Sequence, residues 1–106
     1  MSDSIVVFMT AAAANEARRI ANELVERQLA ACVQILPEIE SVYRWNGEVQ
    51  RDTEILIIAK TTAALFNDLE KAVRAIHSYD TPEIVAVPMA YVSEPYRVWL
   101  MSNARG

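Results

Sequence analysis

This sequence predicts an α+β domain with the element order βαββαβ: an antiparallel sheet with a long central hairpin, closed by a short C-terminal helix. Three observations predict it. Two stretches carry apolar residues at helical spacing, and short apolar runs alternate with them. Asn46-Gly47, set between two long extended runs, is a strong short-range hairpin signal. A chain of 106 residues, 53% of them hydrophobic, holds enough apolar surface for one packed core, so a single domain over 1–106 is expected.

Each element has its own warrant. Ile5 to Thr10 is a short continuous apolar run, the pattern of a central strand buried on both faces. From Asn15, a plausible N-cap, the period changes. Ala17, Ile20, Ala21, Leu24 and Val25 share one helical face, and Glu16, Arg18, Arg19, Glu23, Glu26 and Arg27 take the other. Cys32 to Arg44 reads as extended, and Pro37, which has no amide to donate, marks a bulge or an edge within it. Val49 to Thr61 returns as the partner strand. A second amphipathic helix follows with Leu65, Leu69, Ala72, Val73 and Ile76 inward, Thr61 or Thr62 as its cap, and an end near His77. Ser78 to Pro82 has turn composition, Glu83 to Met89 is a fourth strand, and Ser93 can cap a short last helix containing Pro95, Tyr96 and Trp99. Two βαβ-type units joined by a hairpin make the ferredoxin-like sheet, with both helices on one face, the leading architecture.

Composition narrows the function. The formal charge is -4, with 10 basic residues against 14 acidic ones and no basic run, which argues against nucleic acid and anionic membrane surfaces as partners. No apolar run approaches the ~18 residues of a membrane span. The segment before Ile5 has Asp3 and no Lys or Arg, so Ile5 to Met9 reads as a core strand rather than a signal peptide. The expected location is the cytoplasm. A single cysteine, Cys32, cannot form an internal disulfide.

The hairpin strands are about twice as long as the first and fourth. The overhang, roughly 20 Å at ~3.3 Å per residue, carries Tyr43, Trp45 and unpaired backbone groups. Such an edge invites pairing with another chain, and one sheet face is also left uncovered, so a closed homo-oligomer is expected. The alternative is a hairpin bent back onto its own domain.

Cys32, Tyr43-Arg44-Trp45-Asn46-Gly47, Glu54, Lys60-Thr61-Thr62 and His77-Ser78-Tyr79-Asp80-Thr81-Pro82-Glu83 together resemble the CutA family of divalent-cation-tolerance proteins, in order and spacing from Ile5 to about Trp99. The resemblance implies a ferredoxin-like subunit, a tight homotrimer, a role in divalent metal-ion tolerance and a link to copper. It also implies an architectural likeness to the PII signalling trimers, which bind small effectors in clefts between subunits.

His77 is the only histidine, and imidazole suits copper or zinc best among the side chains available. In this topology the end of the first strand, the end of the second helix and the start of the fourth strand share one end of the sheet. Met9, His77 and Glu83 are therefore the expected cation ligands, a thioether and imidazole favouring Cu(I) and Glu83 adding a harder donor. Family members proposed to bind copper carry a cysteine where this chain has Met9 and a further histidine where it has Ile76. His77 can equally close the second helix or hydrogen-bond in a cleft. Cys32 falls at the opposite end of the sheet and reads as packing.

Lys60 and Thr61, where a strand hands over to a helix, form a candidate site for an anionic effector, or else a capped helix beside a solvated lysine. No Gly-rich loop precedes them, so neither a P-loop nor a dinucleotide fingerprint is present. Tyr43, Trp45, Tyr79 and Trp99 are expected at subunit interfaces, with an inter-subunit pocket for a planar ligand as the alternative. No nucleophile arrangement is recognisable, and no enzyme or organic cofactor is expected. The leading function is weak binding of copper or another divalent cation by a trimer that serves metal-ion tolerance. The rivals are a PII-like module that takes a small anion between subunits, and a structural trimer that acts through protein partners.

Overall fold

The computed structural model describes residues 3–106, so Met1 and Ser2 of the expected domain lie outside the described residues. The chain runs β1 (Ser4–Ala11), α1 (Ala14–Glu26), β2 (Cys32–Trp45), β3 (Glu48–Thr62), a 3-10 turn (Ala63–Leu65), α2 (Phe66–Ile76), β4 (Ile84–Pro88) and α3 (Glu94–Asn103). The strands form one sheet in the order β2-β3-β1-β4, with every neighbouring pair antiparallel. This is the expected βαββαβ architecture with its long hairpin and short terminal helix.

Alternation sorts the strand residues into two faces. Ile5, Val7, Met9 and Ala11 of β1 and Ile55, Ile57 and Ala59 of β3 pack with Ala17, Ile20 and Leu24 of α1 and Leu69, Ala72 and Val73 of α2. The helices present these groups at i, i+3, i+4 spacing, and one core forms beneath both. Neither α1 nor α2 packs on the opposite face. There Val6 lies opposite Val87, and Phe8 opposite both Ile58 and Val85, with Val85 52% and Val87 48% exposed. A smaller cluster of Ala31, Leu100 and Ala104 seats α3 against the end of the sheet where β2 begins.

The hairpin has the expected chemistry. Asn46 and Gly47 have φ of 52° and 77°, the pair of positive values that a two-residue turn needs to follow the twist of its strands. Pro37 sits where the β2–β3 register shifts between Leu36 and Ile39, so a bulge removes its missing amide from the ladder. β1 stops opposite Ile55, and β3 continues outward from Glu54 to Glu48. That projection, roughly 23 Å at ~3.3 Å per residue, gives a molecule 44 Å long against 26 and 23 Å across.

Several local expectations are corrected. α1 begins at Ala14 with Ala13 at its N-cap, and Asn15, inside the first turn, accepts only from the amide of Glu16. Glu16 instead reaches back to the Ala12 amide. Val25 is 43% exposed rather than buried, because the core-facing stripe ends with Leu24. Neither threonine caps α2: Thr62 precedes the 3-10 turn without a side-chain bond, and the Thr61 hydroxyl donates to the Leu29 carbonyl at 2.7 Å. Ser93 holds the N-cap position of α3 but makes no side-chain cap bond. β4 is shorter than expected, leaving out Glu83 and Met89; the Met89 amide still bonds the Ser4 carbonyl.

Candidate functional site

The end of α2 brings His77 beneath the end of β1. Its Nε2 lies 2.7 Å from the Thr10 carbonyl oxygen, which can only accept, so Nε2 carries the ring proton. Nδ1 is then the lone-pair nitrogen, and it accepts from the Tyr79 amide at 3.0 Å. This pairing assigns one neutral tautomer to a side chain with 0% exposure.

The turn after α2 is held by a carboxylate from another element. Glu16 accepts from the Ser78 amide at 2.7 Å and the Ala12 amide at 3.3 Å, joining the β1–α1 and α2–β4 connections. Its Oε2 stands 3.9 Å from Nδ1 of His77. Burial alone would push the Glu16 carboxyl up, but the bonds from Ser78 and Ala12 outweigh it and hold the group below its ordinary value.

Tyr79 links the same turn to the root of the hairpin. Its ring lies 4.8 Å from that of His77, and its hydroxyl donates to Glu54 Oε2 at 2.9 Å. Glu54 is buried, on the first residue of β3 beyond the end of β1. Burial, followed by the bond to Glu54, pushes the Tyr79 phenol up to about 12. Farther out, Tyr43 donates to Asp52, and this bond, more than any other influence, raises the Tyr43 phenol as well.

The structure thus gathers Met9, His77 and Glu83 at one end of the sheet but in different surroundings. Met9 is fully buried among the core residues under the helices, paired in register with Ile84. Glu83, just before β4, is exposed. Among the described residues no group of three or more His, Cys, Asp and Glu side chains is placed to hold a metal ion. Cys32, paired in register with Lys60, is at the other end of the sheet. Lys60 and Thr61 point to opposite faces: Lys60 bonds Gln34, opposite Ile58 on the face away from α1 and α2, and Thr61 is buried against Leu29. The amide of Ala63, at the start of the 3-10 turn, is taken by the Asp3 carbonyl.

Of the four aromatics expected at interfaces, Tyr43, Trp45 and Trp99 are exposed, Trp99 packing on Tyr96 with ring centres 5.5 Å apart. Tyr79 is half-buried and bonded within the subunit. Along the sequence Glu16 reads only as part of the solvated face of α1. The one signal for its role is its place in the first turn, where a carboxylate can reach back to free amides.

The fold has close relatives of known structure. A Thermus thermophilus structure titled divalent cation tolerance protein (Cut A1) superposes with a TM-score of 0.94 at 46% identity, covering 96% of this chain and 99% of that one. CutA1 from Oryza sativa gives 0.93 at 43% identity, covering 96% and 94%. In sequence, the Divalent-cation tolerance protein CutA of Thermus thermophilus is 48% identical over 92% of this chain and 95% of its own length. The chloroplastic protein CutA of Arabidopsis thaliana is 45% identical over 96% of this chain, but the chain spans only 56% of that protein's length. No described helix is long and apolar enough to cross a membrane. The match to the family described as CutA1 divalent ion tolerance protein covers residues 5–103, and this chain therefore belongs to that family.

Proposed function

We propose that this protein serves divalent-cation tolerance as a cytoplasmic homotrimer that binds copper or another divalent cation weakly, and that it is not an enzyme. The observation that carries the cation reading is the His77 ring: it is sheltered, and the Thr10 carbonyl fixes its tautomer so that one lone pair is presented at a known atom. Weak affinity follows, because that lone pair already accepts from the Tyr79 amide and a cation must displace it. The apolar sheet face around Val85 and Val87 and the unpaired edge of the projecting hairpin support self-association.

Calorimetric titration of the wild type and His77→Ala with Zn(II), Cu(II) and Cu(I) tests the cation reading. Equal affinity in both proteins removes His77 from it. Native mass spectrometry tests the trimer: a particle of three 11.9 kDa chains is expected, and Phe8→Glu, on the uncovered face, dissociates it. A stable monomer in the wild type refutes the assembly.

One observation favours a small effector as a second reading. An open hollow of about 550 Å³ beside α2 is lined by Glu70, Lys71, Arg74, His77, Tyr79 and Asp80 among others; Arg74 is paired with Glu70 at 3.3 Å, and Lys71 shares the lining with an aromatic ring. A nucleotide or organic acid that raises the melting temperature, with the effect lost in Lys71→Ala, supports this reading.

A further inference from the structure

We infer that a cation at His77 is held through Nδ1 with the carboxylate of Glu16 as its second ligand, and that it releases the turn at the Tyr79 amide when it binds. This rests on the cation-binding reading above and names the ligands and the conformational consequence of that site.

The donor set follows from the hydrogen bonds. Nε2 carries a proton bound to the Thr10 carbonyl, so only Nδ1 has a lone pair to give. The charged oxygen recorded beside that lone pair is Oε2 of Glu16, at 3.9 Å. The Glu16 side chain is only 15% exposed, so the two donors meet in a site largely shielded from solvent. Met9 packs under the helices and Glu83 is exposed. An imidazole nitrogen with a carboxylate suits borderline divalent ions such as Zn(II) and Cu(II), whereas Cu(I) prefers soft sulfur donors. With no third His, Cys, Asp or Glu grouped there among the described residues, water fills the remaining positions and affinity stays low.

The consequence follows from the same atoms. Nδ1 accepts the Tyr79 amide, and Oε2 of Glu16 accepts the Ser78 amide. Nδ1 has a single lone pair, so a cation there leaves the Tyr79 amide without its acceptor, whereas the carboxylate keeps lone pairs for the Ser78 amide. The loosened turn carries Tyr79, whose hydroxyl holds Glu54 at the hairpin root, so occupancy of the site is transmitted to the hairpin.

Zn(II) is the probe, read by calorimetry and by amide hydrogen exchange on the full chain. Glu16→Gln should weaken Zn(II) binding by at least the roughly tenfold that loss of even an outer-sphere partner costs, while Met9→Leu and Glu83→Gln retain it. In the wild type, Zn(II) should speed exchange at Tyr79 several-fold; this readout needs no variant and stands even if Glu16→Gln folds poorly. His77-dependent Zn(II) binding that is lost in Met9→Leu or Glu83→Gln but kept in Glu16→Gln overturns the ligand assignment. Unchanged or slower exchange at the Tyr79 amide in Zn(II)-saturated protein overturns the release. A wild type that binds Zn(II) no better than His77→Ala refutes the parent reading, and this inference falls with it.

Discussion

Replacing Tyr79 by Phe removes one oxygen and leaves the ring in place, so it isolates the bond that ties the turn after α2 to the hairpin root. The hydroxyl donates to Glu54 at 2.9 Å, and Glu54 is buried. Bonds to charged groups contribute about 1.5–3 kcal/mol, and a carboxylate left without its donor incurs a desolvation cost of its own. We expect Tyr79→Phe to lose about 2 kcal/mol per chain in denaturant unfolding. The phenol supplies a second, independent reading. Its folded value of about 12 lies above the ordinary value of 10. Between those values the unfolded chain has lost the proton and the folded chain keeps it, so stability is fully present below pH 10 and falls as pH rises toward 12. Two pH units set a ceiling of about 2.7 kcal/mol, and solvent screening of this partly exposed phenol brings the expected loss to about 1 kcal/mol. Tyr79→Phe should flatten that alkaline limb, and a cycle with Glu54→Gln should show coupling of about 1 kcal/mol or more. A variant within about 0.5 kcal/mol of wild type, with an unchanged alkaline slope, refutes the argument.

Three further outcomes are expected. Thr61→Val keeps the shape of a fully buried side chain but leaves the Leu29 carbonyl without its donor, and should cost about 1–3 kcal/mol by urea unfolding. Gly47→Ala meets no atom within 4 Å, so its cost is conformational only; at φ +77° it should be about 1–2 kcal/mol by thermal unfolding, with the fold unchanged by circular dichroism. Ile57→Ala opens the fully buried core beneath both helices and should destabilise by about 2–5 kcal/mol.

The elements are legible in the sequence wherever the signal is local. The i, i+3, i+4 apolar spacing of Leu69, Ala72 and Val73 marks α2, Asn46-Gly47 marks the turn, and Pro37 marks the bulge. The errors fall at element ends, where a cap depends on how the chain enters. Asn15 has a good capping side chain, but the helix starts one residue before it, and the Glu16 carboxylate serves the free Ala12 amide instead. Thr61 looks like a cap because it precedes α2, yet its hydroxyl is committed to a carbonyl 32 residues away.

The sequence by itself determined the element order, the projecting hairpin and the family, and it shows His77 to be the chain's one histidine. Periodicity and turn chemistry act over a few residues, so they can be read along the chain. Only the tertiary structure decided which partners meet at that histidine. Glu16 bonds Ser78 across 62 positions and Tyr79 reaches Glu54 across 25. Those contacts depend on strand register, on the helix α2 ending beneath β1 and on the path of one turn. A carboxylate that looks like a solvated helix residue in one dimension thus becomes the clamp of the turn beside His77 in three.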